Sequence, residues 1–324
     1  MKTVFRVLFA IVLACCAMPA DAAGLQSATV AAPGGQHIDA SIWFPSRVAP
    51  ARRDFGPFHP TIALGAPISG GHLPLVVFSH GTGGSALSHY DTAIALANAG
   101  YVVVTFDQPG DNYRDQSSAG FRHDLVERPE DVRVVLDYML YEWPLRSHLD
   151  RTRVGIFGYS LGGFTALVNI GGLPNLRRMI SLCARHPGAP ECGFVRSHHG
   201  DQLDTGSFAA PTWVHDARIK AAVVVAPAAS VVFGPGSLRR VRVPVQLWIA
   251  ADDRMALARW NSSLVRRGLP NAPQSHVVAG AGHFTFLTPD ICSQAPPEGC
   301  TTFHRAFNAA VVRFFEATLR PSRT

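Results

Sequence analysis

Arg153-Val154-Gly155-Ile156-Phe157-Gly158-Tyr159-Ser160-Leu161-Gly162-Gly163-Phe164-Thr165-Ala166-Leu167-Val168 is the stretch whose reading decides the fold. Arg153 to Phe157 is a short apolar run of the kind that forms a buried strand, and Leu161 to Ile170 reads as a buried helix. Between them stands Gly158-x-Ser160-x-Gly162. A strand that turns straight into a helix holds the corner residue in a strained conformation, and side chains at 158 and 162 would crowd the turn. The turn lifts the Ser160 hydroxyl clear of the sheet, where the helix N-terminus favours developing negative charge. Ser160 is therefore a candidate nucleophile. The plainer reading, a glycine-rich turn with an incidental serine, is the weaker one between a strand and a helix.

Outward from the elbow, strands and helices alternate. Ala28 to Ala31 and His37 to Phe44 read as an antiparallel pair turned by Pro33-Gly34-Gly35, and Arg47 to His72 reads as a Pro/Gly-rich surface loop. Leu75 to Phe78, Tyr101 to Phe106, Ile219 to Val225 and Val245 to Ile249 are apolar strands, and Ser275 to Val278 is a short one. Helices are expected over Ser88 to Ala97, Arg128 to Tyr141, Ala256 to Arg267 and Phe303 to Leu319. Uniformly apolar strands alternating with helices predict an α/β fold, its central sheet mainly parallel and covered on both faces. With no repeat and no second core, the expectation is a signal peptide over 1–22 and a single domain over 23–324, with 171–216 an irregular insertion over the site.

The amino-terminal segment reads as a targeting signal. Lys2 and Arg6 precede the apolar stretch Val7 to Ala17, and Ala20-Asp21-Ala22 is an A-x-A cleavage site. Lipoprotein processing at Cys15 is the less favoured rival. The apolar stretch falls short of the ~20 residues a membrane span needs, so the expectation is a periplasmic or secreted protein without a stable span. Cys183, Cys192, Cys292 and Cys300 form two close pairs, which in an exported chain read as local disulfides. A metal site at the first pair with His186 is the alternative, but the spacing matches no zinc pattern, and no metal is expected. The net charge of +6 comes from scattered arginines rather than a basic block, which argues against a nucleic-acid partner. Oligomeric state is not legible in the sequence.

A serine hydroxyl needs a general base, and the base needs an orienting acid. After this kind of elbow the chain order is Ser, acid, His. His283, in the small-residue loop Ala279-Gly280-Ala281-Gly282-His283, is the candidate base. Asp253, after the strand ending at Ile249, is the candidate acid, with Asp252 the alternative. The strand ending at Val225 is followed by Ala226-Pro227-Ala228-Ala229-Ser230, without a carboxylate. An oxyanion hole needs two preorganised N–H groups. Leu161 supplies one; the loop Ser79-His80-Gly81-Thr82-Gly83-Gly84 supplies the other, through Thr82 or alternatively Gly81. His80 reads as a hydrogen-bonded scaffold of that loop. Phe164, Phe284 and Phe286 are candidates for an acyl pocket or for core, and Asp107 and Asp111 for site-shaping or turn residues.

Phe78 to Gly84, Gly158 to Phe164 and Gly282-His283-Phe284-Thr285-Phe286 together resemble the α/β-hydrolase superfamily over nearly the whole mature chain, and within it the dienelactone-hydrolase-like and platelet-activating-factor-acetylhydrolase-like serine esterases. The resemblance implies a serine esterase acting on a small-molecule ester without a cofactor. Dienelactone hydrolases use a cysteine where this chain has Ser160, and the acetylhydrolases carry their acid where this chain has Ala226-Pro227-Ala228. Neither lactone nor phospholipid specificity therefore carries over. The rivals are a serine peptidase of the same fold and a non-catalytic binding protein on a decayed hydrolase scaffold. Absence of GxGxxG and GxxxxGK[ST] argues against a nucleotide-binding protein.

Overall fold

The computed structural model describes residues 22–117, 119, 125–197, 212–294, 296 and 298–319. The signal-peptide reading lies outside these residues except for Ala22. In chain order the elements are β1 (Ala22–Ala31), β2 (His37–Ser46), β3 (Ala51–Arg52), β4 (Thr61–Leu64), β5 (Leu73–Ser79), α1 (Tyr90–Asn98), β6 (Val102–Phe106) and α2 (Arg128–Asp137). They continue with β7 (Leu149–Tyr159), α3 (Leu161–Asn169), α4 (Arg177–Arg185), α5 (Pro190–Ser197), β8 (Ile219–Val225), β9 (Val245–Ala250), α6 (Ser262–Gly268), β10 (Gln274–Val278) and α7 (Cys300–Thr318).

The strands form one sheet in the order β10-β9-β8-β7-β5-β6-β2-β1-β4-β3. From β6 to β10 every neighbouring pair is parallel, while β2 joins β6 antiparallel and begins the extension through β1. The parallel strands are apolar on both faces because both are covered. Ile156, Val77 and Val224 face one core, built with Val132 and Leu136 of α2 and Phe164 of α3. Phe157, Val76 and Val223 face the other, with Leu96 of α1 and Phe307, Val311 and Phe315 of α7. A β-carbon at Gly155 would stand 2.6 Å from Phe315 Cε1, so its absence lets α7 pack close to β7.

Three segments differ from the sequence reading. The 47–72 loop contains β3 and β4, with Gly24 and Leu25 pairing beside Ala63 and Leu64. Its prolines and glycines mask two strands too short to show an alternation. The insertion expected to be irregular carries α4 and α5, clipped by the Cys183–Cys192 disulfide. A short helix pair stapled across its turn need not advertise itself by length. The helix expected from Ala256 begins only at Ser262; the stretch before it is a turn in which Asp253 Oδ1 accepts the N–H groups of Met255 and Ala256. The second disulfide joins Cys292 to Cys300 at the start of α7. No helix among the described residues is long and apolar enough to cross a membrane.

Gly155→Ala should destabilise the protein by about 1–3 kcal/mol in a denaturant titration, because the added methyl pushes into the buried Phe315 ring.

Candidate active site

The corner between β7 and α3 is tight. Ser160 has φ 54° and ψ −119°, a region costly for a residue with a side chain. Its N–H donates to Val225 O at 2.9 Å, and its carbonyl accepts from Gly163 and Ala228 at 2.9 and 3.0 Å, which holds the strained residue in place. A β-carbon at Gly162 would stand 1.9 Å from Ser79 O, and one at Gly158 would stand 2.1 Å from Gly162 O. The flanking glycines are therefore set by space, since only hydrogen fits where the elbow meets the end of β5.

The loops after β9 and β10 bring two more side chains to the corner. His283 Nε2 lies 2.9 Å from Ser160 Oγ, and His283 Nδ1 lies 2.7 Å from Asp253 Oδ2. All three residues are buried. Asp253 Oδ2 can only accept from an imidazole N–H, so Nδ1 carries the proton and Nε2 is left to accept from the serine hydroxyl. Asp252 is exposed; its backbone N–H donates to Ala281 O at 2.9 Å, and its side chain takes no part in the cluster. Behind His283, Tyr159 donates its hydroxyl to the His283 carbonyl at 2.9 Å. Burial pushes this phenol well above its ordinary value, so it remains a donor.

The loop after β5 approaches from the opposite side. A β-carbon at Gly81 would stand 3.0 Å from Ser160 Cβ. The N–H groups of Thr82 and Leu161 have no hydrogen-bond partner among the described residues. This loop is held by groups the sequence did not reveal. Arg128, at the start of α2, is fully buried and pairs with fully buried Asp111 at 2.6 Å. Its other nitrogen donates to the His80 carbonyl. Asp111 also accepts from Gly83 N–H at 2.8 Å, and Asp107 accepts from Ala86 N–H at 2.7 Å. Both aspartates, open as turn residues in the sequence, brace the loop. His80 donates from Nδ1 to Gly81 O at 2.6 Å and accepts at Nε2 from Gln108 N–H at 3.0 Å, a pattern that requires the neutral ring. Burial, reinforced by the Arg128 charge, depresses His80 to about 3.

The histidine turn (His283–Phe286) has its own support. His304 donates to Thr285 O at 3.0 Å and contacts Asp91 at 2.7 Å. Burial alone would raise the Asp91 carboxyl, but the hydrogen bond and charge of His304 outweigh it and hold it below the usual range. His89 binds Phe286 O at 3.0 Å, and burial depresses its imidazole to about 4.

Two cavities meet at the corner and share Gly81, Thr82, Tyr159 and Phe284. One, of about 480 Å³, includes Ser160, His283, Met179, Met255 and Ala229 and is mostly apolar. The other, of about 1010 Å³, extends past Asp39, Asp107 and Arg114. Of the phenylalanine candidates, Phe284 lines both cavities, whereas Phe164 and Phe286 are core residues. The cysteine pair proposed as a metal alternative is a disulfide, and the His186 ring lies tilted beside Trp260, their centroids 5.3 Å apart. Among the described residues no cluster of three His, Cys, Asp or Glu could hold a metal.

The sequence profile of the alpha/beta hydrolase family matches residues 76–295, and the chain belongs to that family. Comparison with curated proteins finds no match. Among solved structures, a ferulic acid esterase from Streptomyces cinnamoneus is similar with a TM-score of 0.61 and 21% identity, over 95% of this chain and 92% of that one. At that identity the likeness speaks for the fold.

Arg128→Met should cost about 3–5 kcal/mol of unfolding free energy, because Asp111 is left charged and buried without its partner. The double variant Arg128→Met/Asp111→Leu should recover part of that loss. A second expectation concerns pH. His80 and His89 have folded-state values below those of the unfolded chain, so the unfolded state binds more protons as the solution is acidified. Their contribution is complete above the ordinary histidine range and is lost as pH falls toward about 4 for His89 and about 3 for His80. The unfolding free energy from urea titrations should fall between pH 7 and pH 4.5, by roughly 2 kcal/mol or more from these two groups. Constant stability over this range would contradict neutral burial.

Proposed function

We propose that the chain is an exported serine hydrolase that cleaves carboxylic esters through Ser160, His283 and Asp253. The observation that carries this reading is the hydrogen-bonded line from Ser160 Oγ to His283 Nε2, 2.9 Å, and from His283 Nδ1 to Asp253 Oδ2, 2.7 Å. Membership of the family and the likeness to a ferulic acid esterase support an ester as the substrate. Two disulfides favour an oxidising compartment and so support export.

In this mechanism His283 Nε2 takes the Ser160 proton as Oγ attacks the ester carbonyl carbon. Asp253 keeps the Nδ1–H tautomer and stabilises the imidazolium that forms. It also accepts Met255 and Ala256 N–H groups at 2.9 and 2.8 Å, so it is an oriented carboxylate. The carbonyl electrons move onto oxygen, and Leu161 and Thr82 N–H donate to that oxyanion. One such donor is worth ~3 kcal/mol of barrier. Collapse breaks the bond to the alcohol oxygen, which leaves with the proton from His283 Nε2. Water, deprotonated by the same nitrogen, then attacks the acyl-enzyme carbonyl carbon; collapse breaks the bond to Ser160 Oγ, which regains its proton from His283 Nε2, and the acid is released.

The test is hydrolysis of p-nitrophenyl esters from acetate to long chains by the wild type and by Ser160→Ala. The expected result is turnover by the wild type and a fall of about four orders of magnitude or more in kcat for the variant. A folded wild type inert on the whole series would defeat the esterase reading and bring forward the peptidase or decayed-site alternative.

A further inference from the structure

His304 is buried on α7, 2% exposed, and takes no part in the reacting line. Both of its ring nitrogens meet oxygens: Nδ1 lies 2.7 Å from Asp91 Oδ2, and Nε2 lies 3.0 Å from the Thr285 carbonyl. A carbonyl can only accept, and so can an ionised carboxylate. A neutral imidazole carries one N–H, which would leave the lone pair of its other nitrogen against an oxygen lone pair. Moving a proton onto Asp91 does not resolve the conflict. Asp91 Oδ2 also accepts from Asn308 Nδ2 at 2.8 Å, which a carboxylate oxygen does better than a protonated one. Thr92 Oγ1 holds that amide in place by donating to Asn308 Oδ1 at 2.6 Å. A proton on Asp91 Oδ1 would have nothing to donate to, since that atom is withdrawn from solvent and has no hydrogen-bond partner among the described residues. Of the other titratable groups near the pair, His89 is neutral and Tyr90 donates its hydroxyl to Asp290 at 2.6 Å. The cluster fits a carboxylate beside an imidazolium.

We propose that His304 is a positioning residue for the base: an imidazolium locked to Asp91, whose Nε2–H fixes the Thr285 carbonyl and, through it, the turn that carries His283. This role rests on the esterase reading and adds a charged anchor to it. Thr285 ties the turn on three sides. Its hydroxyl accepts from Gly282 N–H at 3.0 Å and donates to Gln294 O at 2.5 Å, while its carbonyl reaches α7. Gly282 immediately precedes His283, so Thr285 sets the backbone from which the imidazole projects. The contacts of His283 to Ser160 and Asp253, 2.9 and 2.7 Å, leave little room for error, because a misplacement of about 1 Å can cost about a hundredfold in rate. A charged donor grips a carbonyl more firmly than a neutral one. The pair does not come apart easily, because either ion alone would stand uncompensated in the interior.

The experiment has two arms. In the first, nitrogen-15 NMR of the wild type at pH 7 reads the His304 ring, assigned from its backbone resonances. Both ring nitrogens should carry protons; a ring with one protonated nitrogen overturns the proposal. In the second, hydrolysis of p-nitrophenyl acetate is compared in the wild type, His304→Gln and Asp91→Asn, each checked for folding by circular dichroism at the assay temperature. Asp91→Asn removes the charge that holds the imidazolium, and no placement of one amide suits both His304 and Asn308. Each variant should lose about tenfold or more in kcat, with KM changed by less than about threefold. The acid limb of the kcat/KM profile should move to lower pH in both, because a looser His283–Asp253 contact stabilises the imidazolium of the base less. A merely structural role would lower the yield of active enzyme and leave that limb in place. Folded variants with wild-type kcat, or a fall in kcat with an unmoved limb, overturn the proposal. Should His304→Gln fail to fold, Asp91→Asn carries the second arm, and the first needs neither. If the wild type cleaves the ester in a Ser160-dependent way and either arm goes against His304, the esterase reading stands and this inference alone falls. If no ester is cleaved, both fall.

Discussion

The space between Gly162 and Ser79 sets the rest of the structure. The elbow can sit on the end of β5 only because no side chain intervenes at 162, and this contact fixes the height of α3 above the sheet. With α3 fixed, the β5 loop lies against Ser160, where a β-carbon at Gly81 would stand only 3.0 Å from the serine β-carbon. The parallel core supplies rigidity from both faces, so the backbone strain at Ser160 is borne by Val225, Gly163 and Ala228 rather than relaxed. Ser160, Asp253 and His283 come from the turns and loops after β7, β9 and β10, at the same end of the parallel strands. That is where a sheet covered on both faces leaves room for a ligand.

Around this corner the buried polar groups sort by charge. His80 and His89 are neutral ligands of backbone groups, whereas Asp111 and Arg128 are a charged pair excluded from water. A pair of that kind adds little net stability against an apolar replacement, but it fixes geometry strongly because neither partner can leave alone. Its placement is specific: the same two residues bind the His80 carbonyl and the Gly83 N–H, at two points of one loop. The histidine turn is treated similarly by His304 and the Cys292–Cys300 bridge, whose Cys292 sulfur lies 3.5 Å from Thr285 O. Each side of the serine is thus supported by contacts distant in sequence.

What the sequence disclosed follows from the range of the forces involved. Leu75 to Phe78, Ile219 to Val225 and Val245 to Ile249 were legible because buried parallel strands are continuous apolar runs with clear ends. Ser160, His283 and Asp253 could be nominated because each sits in a local context that chemistry demands, and the structure brings the three within hydrogen-bond distance. Arg128 was read only as a helix start beside Pro129, since nothing local distinguishes a buried arginine from a solvated one. Asp91 and His304 were illegible for the same reason: each finds its meaning in the other, 213 residues away. The α4–α5 pair was missed because its helices are short and their hydrophobic faces are small, so much of their order comes from a covalent staple and from packing on the core.

The backbone at Ser160 also says something about the history open to this chain. At φ 54° and ψ −119° a glycine would sit with less strain than any other residue, and the flanking positions already admit nothing larger. Selection for stability alone would therefore drift position 160 toward glycine. As the proposed nucleophile, Ser160 would be kept against that drift at a cost in folding stability that the rest of the protein would have to cover.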